Sequence, residues 1–278
     1  METFDWQGRR IAWESAGSGP AVVFCHGTPW SSWLWRPFAE ALSGDFTVYL
    51  WDMPGYGRSS KDPSHAVDFG VQAEAFQALL TYWGLDRPHV VAHDYGGAVS
   101  LRAHLVHGVP YASLLMADAV AIPPSGSPFF QLVKEHPDVL AQVPPYIHEA
   151  LVRAYIGNAS FRELREADLA ELTAPWLGEE GQPAFYRQIA AYDERYLADN
   201  EAELGRVDVP VRVLWGAEDT WIPAPIGERL AAGIRGATFT PVAAAGHLIQ
   251  LDAPVTVATE LRSWLTSVSP GLPGHGQR

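Results

Sequence analysis

The chain has 278 residues, of which 47% are hydrophobic, which is enough for one large α/β domain with a buried core and an inserted subdomain. Its formal net charge of −13 at pH 7 gives a surface that repels polyanions, so neither nucleic acid nor an anionic membrane is expected as a partner. A small hydrophobic or aromatic molecule fits this composition better, bound by a monomer or a homodimer.

The cysteine content and the N-terminus indicate a cellular compartment. Cys25 is the only cysteine, so no disulfide can form within the chain, and its place in the apolar run Ala21–Cys25 predicts a small core residue. The N-terminal sequence METFDWQGRR lacks the apolar stretch of a secretory signal, and no segment approaches the ~20 apolar residues that span a bilayer. We therefore expect a cytoplasmic protein.

Short apolar or β-branched runs alternate with amphipathic segments along most of the chain. The runs are Ala21–Cys25, Phe46–Leu50, His89–Ala92, Ser113–Met116, Val211–Trp215 and Ala237–Thr240. Helical patterns fall at about Val67–Gly84, Tyr95–His107, Pro223–Ile234 and Leu248–Ser267. This alternation predicts an α/β fold in which a mostly parallel sheet is flanked by helices on both faces.

One region departs from the alternation. Residues 121–204 contain no convincing strand and instead show several helical patterns interrupted by Pro and Gly, with many aromatic side chains. We predict that 121–204 is an inserted helical lid over an apolar pocket, and that 1–120 and 205–278 form the core. The Pro/Gly-rich tail from Ser269 onward is predicted to be disordered.

The segment His89–Val99 predicts a strand, a sharp turn and a helix, with Asp94 at the apex of the turn. Small residues flank the apex because strand and helix backbones approach closely around a strained nucleophile. A carboxylate at this position can attack a saturated carbon and expel a leaving group. The resulting alkyl ester is then hydrolysed by water, which requires a base.

His247 is the candidate base, since it lies between the last predicted strand and the final helix. Asp219, after the strand Val211–Trp215, is the candidate acid that orients it, which gives the chain order nucleophile, acid, histidine. The adjacent Glu218 is the main alternative for the acid, and Asp118, after the strand preceding the lid, is a weaker one.

Two backbone N–H groups are predicted to form the oxyanion hole. One belongs to Tyr95, directly after the nucleophile, and the other to Thr28 in the loop Cys25–Pro29. His26 in the same loop is predicted to have a structural role.

These motifs resemble the α/β-hydrolase superfamily, and within it the epoxide hydrolase and haloalkane dehalogenase branch that uses an aspartate nucleophile. His26–Pro29 is similar to the H-G-x-P loop of epoxide hydrolases, Ala92–Gly97 to their nucleophile motif, and Pro54–Ser59 to their glycine-rich turn. The resemblance implies an α/β-hydrolase fold, no metal and no organic cofactor.

Epoxide hydrolases protonate the epoxide oxygen with lid tyrosines, and the resemblance implies candidates for them here. Phe185–Arg187 is similar to the stretch that holds one such tyrosine, so Tyr186 is the first candidate. Tyr146 is the second and Tyr155 follows closely, also as a substrate-binding residue.

Haloalkane dehalogenases hold the halide with side-chain N–H donors, usually a Trp after the nucleophile and often an Asn in the H-G-Asn-Pro loop. This chain has Tyr95 and Thr28 at those positions, and Tyr95 also replaces the Arg of fluoroacetate dehalogenases. These differences favour an epoxide, and Trp30, Trp33 and Trp35, just after the oxyanion loop, are the alternative indole donors to a halide, with Trp30 and Trp33 as the candidate substrate-binding residues.

The leading hypothesis is therefore an epoxide hydrolase that forms a vicinal diol. The alternative is a haloalkane or haloacid dehalogenase that uses the same ester on Asp94. A non-catalytic ligand-binding member of the fold is a third hypothesis, which the complete triad disfavours.

Overall fold

The computed structural model of the protein describes residues 1–269 and is organised around one sheet of eight strands. The strands are β1 (Glu2–Trp6), β2 (Arg9–Gly17), β3 (Ala21–Cys25), β4 (Thr47–Trp51), β5 (His89–His93), β6 (Ser113–Ala117), β7 (Val211–Gly216) and β8 (Thr238–Val242). Their order across the sheet is β1-β2-β4-β3-β5-β6-β7-β8.

The six strands from β3 to β8 pair with one another in parallel, which confirms the predicted mostly parallel sheet. β1 and β2 pair antiparallel at one end of the sheet and were not predicted. Charged residues interrupt the apolar pattern of these two strands, because β1 is the exposed edge and its partner is only partly covered.

Helices cover both faces of the sheet and also occupy the segment between β6 and β7. They are α1 (Arg36–Leu42), α2 (Phe69–Tyr82), α3 (Tyr95–Leu105), α4 (Pro128–Glu135), α5 (Pro137–Leu140), α6 (Pro145–Gly157), α7 (Glu166–Thr173), α8 (Gly178–Ala190), α9 (Arg195–Glu203), α10 (Ala224–Gly233), α11 (Ile249–Asp252) and α12 (Pro254–Val268).

Strand β3 shows how the two faces are built. Successive side chains of a strand point to opposite sides, so Val22 and Phe24 pack in the cluster under α1 and α12, whereas Val23 and Cys25 pack in the cluster under α2 and α3. Cys25 is a fully buried free thiol, as its apolar surroundings in the sequence predict. Burial on both faces explains the continuous apolar runs of the central strands.

The chain between β6 and β7 is helical, with α4 to α9 occupying most of this interval and no strand among its described residues. We call α4 to α9 the cap helices. They are tied to the core beside the carboxyl ends of the strands, for example by the indole Nε1 of Trp176, which donates to the carbonyl of Pro29 at 2.6 Å. That this segment is a separate domain with boundaries at 121 and 204 stays a prediction.

The C-terminal region differs from the single helix predicted over Leu248–Ser267. It is divided at Ala253 into α11 and α12, because Pro254 has no N–H to continue the hydrogen bonding of α11. The predicted disordered tail lies, apart from Ser269, outside the described residues. None of the helices within residues 1–269 is long and apolar enough to cross a bilayer.

Candidate active site

Asp94 occupies the turn between the end of β5 and the start of α3. Its backbone has φ 50° and ψ −124°, a strained conformation for a residue other than glycine, and its side chain is buried. Gly96 is required here because a Cβ atom at this position would lie 2.6 Å from the carbonyl oxygen of Cys25. The close approach of helix and strand therefore fixes where the Asp94 carboxylate projects.

The Asp94 carboxylate contacts the imidazole of His247, which in turn contacts Asp219. The distances are 3.1 Å from His247 Nε2 to Asp94 Oδ2 and 2.9 Å from His247 Nδ1 to Asp219 Oδ2. The three side chains come from the loops after β5, β7 and β8, which meet at the carboxyl edge of the parallel sheet. The structure thus brings together the three residues that were predicted to form a triad.

Asp219 is held rigidly by its own loop. Its Oδ1 accepts hydrogen bonds from the backbone N–H groups of Trp221 at 2.8 Å and Ile222 at 2.9 Å, which leaves Oδ2 for His247. Glu218, the main alternative for the acid, is exposed to solvent, whereas Asp219 is buried. The arrangement is that of an orienting carboxylate that fixes both the tautomer and the direction of the ring.

The charges around His247 determine its protonation. Burial by itself would lower the pKa of His247, but the charge and hydrogen bond of Asp219, together with those of Asp94, raise it well above its ordinary value. Neutralisation of the Asp94 carboxylate would remove one of these two negative charges, and the pKa of His247 would then fall from this raised value.

Asp118 at the end of β6 is close to the same network and is fully buried. Its Oδ1 accepts from the N–H of Gly216 at 2.7 Å, while its Oδ2 has no hydrogen-bond donor among residues 1–269. Burial and the charge of Asp219 raise the pKa of Asp118 well above its ordinary value. Burial beside Asp219 therefore favours the protonated form of Asp118, and its carboxyl group makes no hydrogen bond to His247 among residues 1–269.

Two backbone donors stand next to the nucleophile. The N–H of Thr28 donates to Asp94 Oδ1 at 2.5 Å, and the N–H of Tyr95 belongs to the first residue of α3, where helical amides have no partner within the helix. Gly27 makes the first contact possible, since a Cβ atom there would lie 2.1 Å from Asp94 Oδ1. His26 holds the loop by bonding the carbonyl of Gly27 and the N–H of Met53, both at 2.9 Å.

A cavity of about 450 Å³ opens above Asp94, between the sheet edge and the cap helices. Its walls combine aromatic rings with hydroxyl and amide groups, and they consist of Thr28, Asp94, Tyr95, Val120, Ser125, Gly126, Ser127, Pro128, Phe129, Phe130, Tyr155, Asn158, Thr220, Trp221 and Ile222. None of these lining residues is Lys or Arg. The cavity therefore offers no cationic partner to an anionic substrate and suits a neutral one.

Two phenol groups face this cavity. The ring of Tyr155, on α6, lies against Trp221 with a centroid distance of 4.5 Å, and Trp221 stacks on His247 at 5.1 Å. Burial and the negative charge of Asp94 raise the pKa of Tyr155 well above its usual value, so its hydroxyl keeps its proton. The hydroxyl of Tyr95 is buried and finds no hydrogen-bond partner within residues 1–269.

Tyr186, the first candidate for the acid, does not line the cavity. His148 Nε2 lies 2.9 Å from the carbonyl of Trp176, which can only accept, so Nδ1 of His148 accepts the hydroxyl proton of Tyr186 at 2.9 Å. The prediction of Tyr186 as the leaving-group acid is corrected on this ground: its helix α8 turns the phenol into the interior of the cap helices. The hydroxyl proton of Tyr186 is donated to His148 and does not face a substrate in the cavity.

Tyr146 and Trp33 also lie outside the cavity. Tyr146 is at the start of α6 with 74% of its surface exposed to solvent, so the prediction that it is an acid is wrong. Trp33 contacts a different cavity, formed with Ser160, Arg162 and Gln250 behind the loop that carries His247. Neither side chain can reach a substrate bound on Asp94.

Trp30 is adjacent to the site without lining the cavity. It is buried, and its ring stacks on Trp221 at 5.9 Å and lies 6.4 Å from the ring of His247. Its indole Nε1 has no partner among the residues that the structure describes. Trp30 therefore supports the rings of the site from behind, and the substrate-binding role predicted for it is not supported by its position.

Gln188 was not anticipated from the sequence. It is buried, and its Oε1 accepts hydrogen bonds from Thr28 Oγ1 at 2.5 Å and from the hydroxyl of Tyr56 at 3.0 Å. Residues two apart on a helix point in nearly opposite directions, so Gln188 faces the core because Tyr186 faces the cap interior. No local pattern in the sequence indicates which of the two directions each residue takes.

Comparisons with known proteins agree with this geometry. A model of the family described as "Alpha/beta hydrolase family" matches residues 22–260. A solved structure of an alpha/beta hydrolase fold protein from Burkholderia ambifaria is 44% identical, covers 94% of this chain and 97% of its own, and superposes with a TM-score of 0.92.

Two curated relatives match a shorter part of the chain. A fluoroacetate dehalogenase from Burkholderia sp. is 37% identical over 108 residues, which are 37% of this chain and 36% of the relative. A soluble epoxide hydrolase from Corynebacterium sp. (strain C12) is 38% identical over 93 residues, which are 34% of this chain and 32% of the relative. The chain thus matches only about a third of the length of each of these two enzymes.

Proposed function

The chain belongs to the alpha/beta hydrolase family, and from that premise we propose that it is a hydrolase acting through an ester on Asp94, with a neutral epoxide as substrate. The observation that carries the proposal is the position of the Asp94 carboxylate. One oxygen accepts the N–H of Thr28, the other faces His247, and both lie at the floor of the cavity. A carboxylate held in this way is a nucleophile, with its base already in contact.

In the first step an oxygen of Asp94 attacks an oxirane carbon. The C–O bond of the ring breaks, its electron pair goes to the oxirane oxygen, and the hydroxyl of Tyr155 supplies the proton. We assign this proton transfer to Tyr155, in place of Tyr186, because Tyr155 lines the same cavity as Asp94.

In the second step water is deprotonated by His247 and attacks the carbonyl carbon of the Asp94 ester. The N–H groups of Thr28 and Tyr95 stabilise the tetrahedral oxyanion, and Asp219 stabilises the imidazolium. When this intermediate collapses, His247 gives its proton to the departing alkoxide oxygen, which completes the diol. The second proton of the water, left on the Asp94 carboxyl group, passes to the phenolate of Tyr155, and this restores the free carboxylate and the neutral phenol. One water is consumed for each epoxide opened.

The test combines a substrate panel with isotope labelling. Purified protein is incubated with neutral aryl and alkyl epoxides in ¹⁸O-labelled water, beside an Asp94→Ala variant, and diol and the mass of the Asp94 peptide are measured. We expect diol formation, incorporation of ¹⁸O into Asp94 after turnover, and loss of both in the variant. Undiminished diol formation by Asp94→Ala would exclude the ester mechanism.

A dehalogenase that acts on neutral haloalkanes through the same ester on Asp94 is the second candidate, because a fluoroacetate dehalogenase is among the relatives. A haloacid is a poorer substrate, because no Lys or Arg lines the cavity to pair with its carboxylate. Matched bromo- and chloroalkanes in the same panel, scored for free halide, separate the two candidates.

A further inference from the structure

Gln188 joins the cap helices to the loop that carries the oxyanion donor. It lies on α8 and is 2% exposed, and its carbonyl oxygen accepts two hydroxyl protons, from Thr28 at 2.5 Å and from Tyr56 at 3.0 Å. A carbonyl oxygen has two lone pairs, so these two bonds satisfy it fully. Because hydroxyl groups rotate freely, this acceptor decides where both of them point.

Thr28 is held from two directions. Its backbone N–H donates to the nucleophile Asp94, while its side chain donates to Gln188 on a different part of the chain. The side-chain bond therefore restrains the residue whose N–H must stay in place when the negative charge moves from the carboxylate to the tetrahedral oxyanion. A shift of this donor by about 1 Å is enough to cost about 10²-fold in rate.

Tyr56 is the second hydroxyl group that donates to Gln188. Burial raises the pKa of Tyr56 far above its usual value, and the charge of Asp94 acts in the same direction, so its hydroxyl remains protonated and donates to Gln188. The ring of Tyr56 also packs at 5.5 Å from His26, which holds the other end of the same loop. Gln188, Tyr56 and His26 thus restrain the loop around Thr28 from three sides.

We infer that Gln188 is a positioning residue that fixes the Thr28 N–H in the oxyanion hole and so couples the cap helices to hydrolysis of the Asp94 ester. This rests on the proposed function. The oxyanion forms only in the second step, when water attacks the ester, whereas the first step consumes the charge of Asp94. Loss of Gln188 should therefore slow ester hydrolysis much more than ester formation.

The chain offers a matched control on the same helix. Gln182 is also buried on α8, but its amide donates to the carbonyls of Ala141 and Val143 within the cap helices, away from Thr28. Gln188→Met and Gln182→Met each replace a buried amide by a side chain of similar length that forms no strong hydrogen bond. A general loss of packing in α8 would affect both variants, whereas loss of the Thr28 contact affects only the first.

The kinetic experiment is a single-turnover reaction, quenched at intervals and analysed by mass spectrometry of the intact protein. In Gln188→Met we expect ester hydrolysis to slow by about 10-fold or more, with accumulation of the ester, while ester formation stays within about twofold of wild type. Gln182→Met should match wild type in both steps. Gln188→Glu keeps an oxygen that accepts both hydroxyls and should recover part of the lost rate.

A second measurement needs no substrate. Hydrogen–deuterium exchange of the peptide that contains Thr28 should be at least several-fold faster in Gln188→Met than in wild type, and unchanged in Gln182→Met. If the wild type forms no ester with any substrate, the proposed function fails, while the exchange data still decide whether Gln188 holds the loop. Unchanged exchange, or faster exchange with ester hydrolysis at the wild-type rate, overturns the inference.

Discussion

The core side and the cap-helix side of the cavity differ in how well their residues could be predicted from the sequence. On the core side, the ring of His247 joins Asp94 and Asp219 by hydrogen bonds, as expected from their positions after β5, β7 and β8. On the side of the cap helices three tyrosines were considered, and only Tyr155 lines the cavity. A parallel sheet brings the ends of its strands to one edge, whereas the direction of a helical side chain depends on how its helix is rotated.

The largest effect is expected on the core side. In His247→Gln the first step still forms an ester on Asp94, but no base activates water, so ester hydrolysis should fall by about 10³-fold or more. A stable mass increase of the protein equal to that of the epoxide would show the trapped ester. Continued turnover at the wild-type rate would remove His247 from the chemistry and leave its contacts as structural ones.

Two tyrosine-to-phenylalanine variants in the cap helices separate a residue that lines the cavity from one that does not. Tyr155→Phe should lower the rate of epoxide opening by about 10²-fold, because it removes a proton donor in the cavity. Tyr186→Phe should stay within about twofold in rate and instead lose about 1–2 kcal/mol of stability, since it leaves Nδ1 of His148 unpaired. Single-turnover rates and thermal unfolding measure the two effects, and the opposite pattern would restore Tyr186 as the acid.

A smaller effect tests the protonation of Asp118. Burial and the charge of Asp219 raise the pKa of Asp118 and so favour its neutral form, which asparagine resembles, and we expect Asp118→Asn to leave the acid limb of the pH–rate profile unmoved. Asp219→Asn is the contrast: it removes a charge that raises the pKa of His247, so the acid limb should move to lower pH while the maximum rate falls. A similar shift in Asp118→Asn would mean that Asp118 carries a charge.

We also expect Asp118→Asn to change how the stability of the protein depends on pH. In the unfolded chain Asp118 loses its proton above the ordinary aspartate pKa of 3.8, whereas the folded chain retains it, so this group lowers stability as the pH rises from that value toward its folded-state pKa. Asparagine carries no such cost. The Tm of Asp118→Asn relative to wild type should therefore increase as the pH rises above the ordinary aspartate pKa of 3.8.

The smallest effect is expected at the surface of the cap helices. Tyr146→Ala removes a side chain that is 74% exposed and outside the cavity, so turnover and Tm should both remain within error of wild type. Steady-state kinetics with the best substrate of the panel is sufficient. A loss of rate similar to that of Tyr155→Phe would indicate that the cap helices rearrange when substrate binds.

The apolar runs in the sequence were sufficient to predict the buried central strands and the residues that follow them. The runs before Asp94, Asp118 and Asp219 predict parallel strands, and chain order then places the carboxylates at one edge. It did not reveal β1 and β2, whose mixed polarity follows from their position at the end of the sheet.

Which polar groups of the cap helices reach the core could not be predicted from the sequence, because it depends on how the helices pack in the folded chain. Tyr186 and Gln188 are two residues apart on α8, and packing of that helix sends the phenol to His148 and the amide to Thr28. The protonation of Asp118 likewise depends on its burial beside Asp219, which no local pattern encodes. Rotation of a helix and the desolvation of a charge are set by contacts between residues far apart in the chain, and those contacts exist only once the chain has folded.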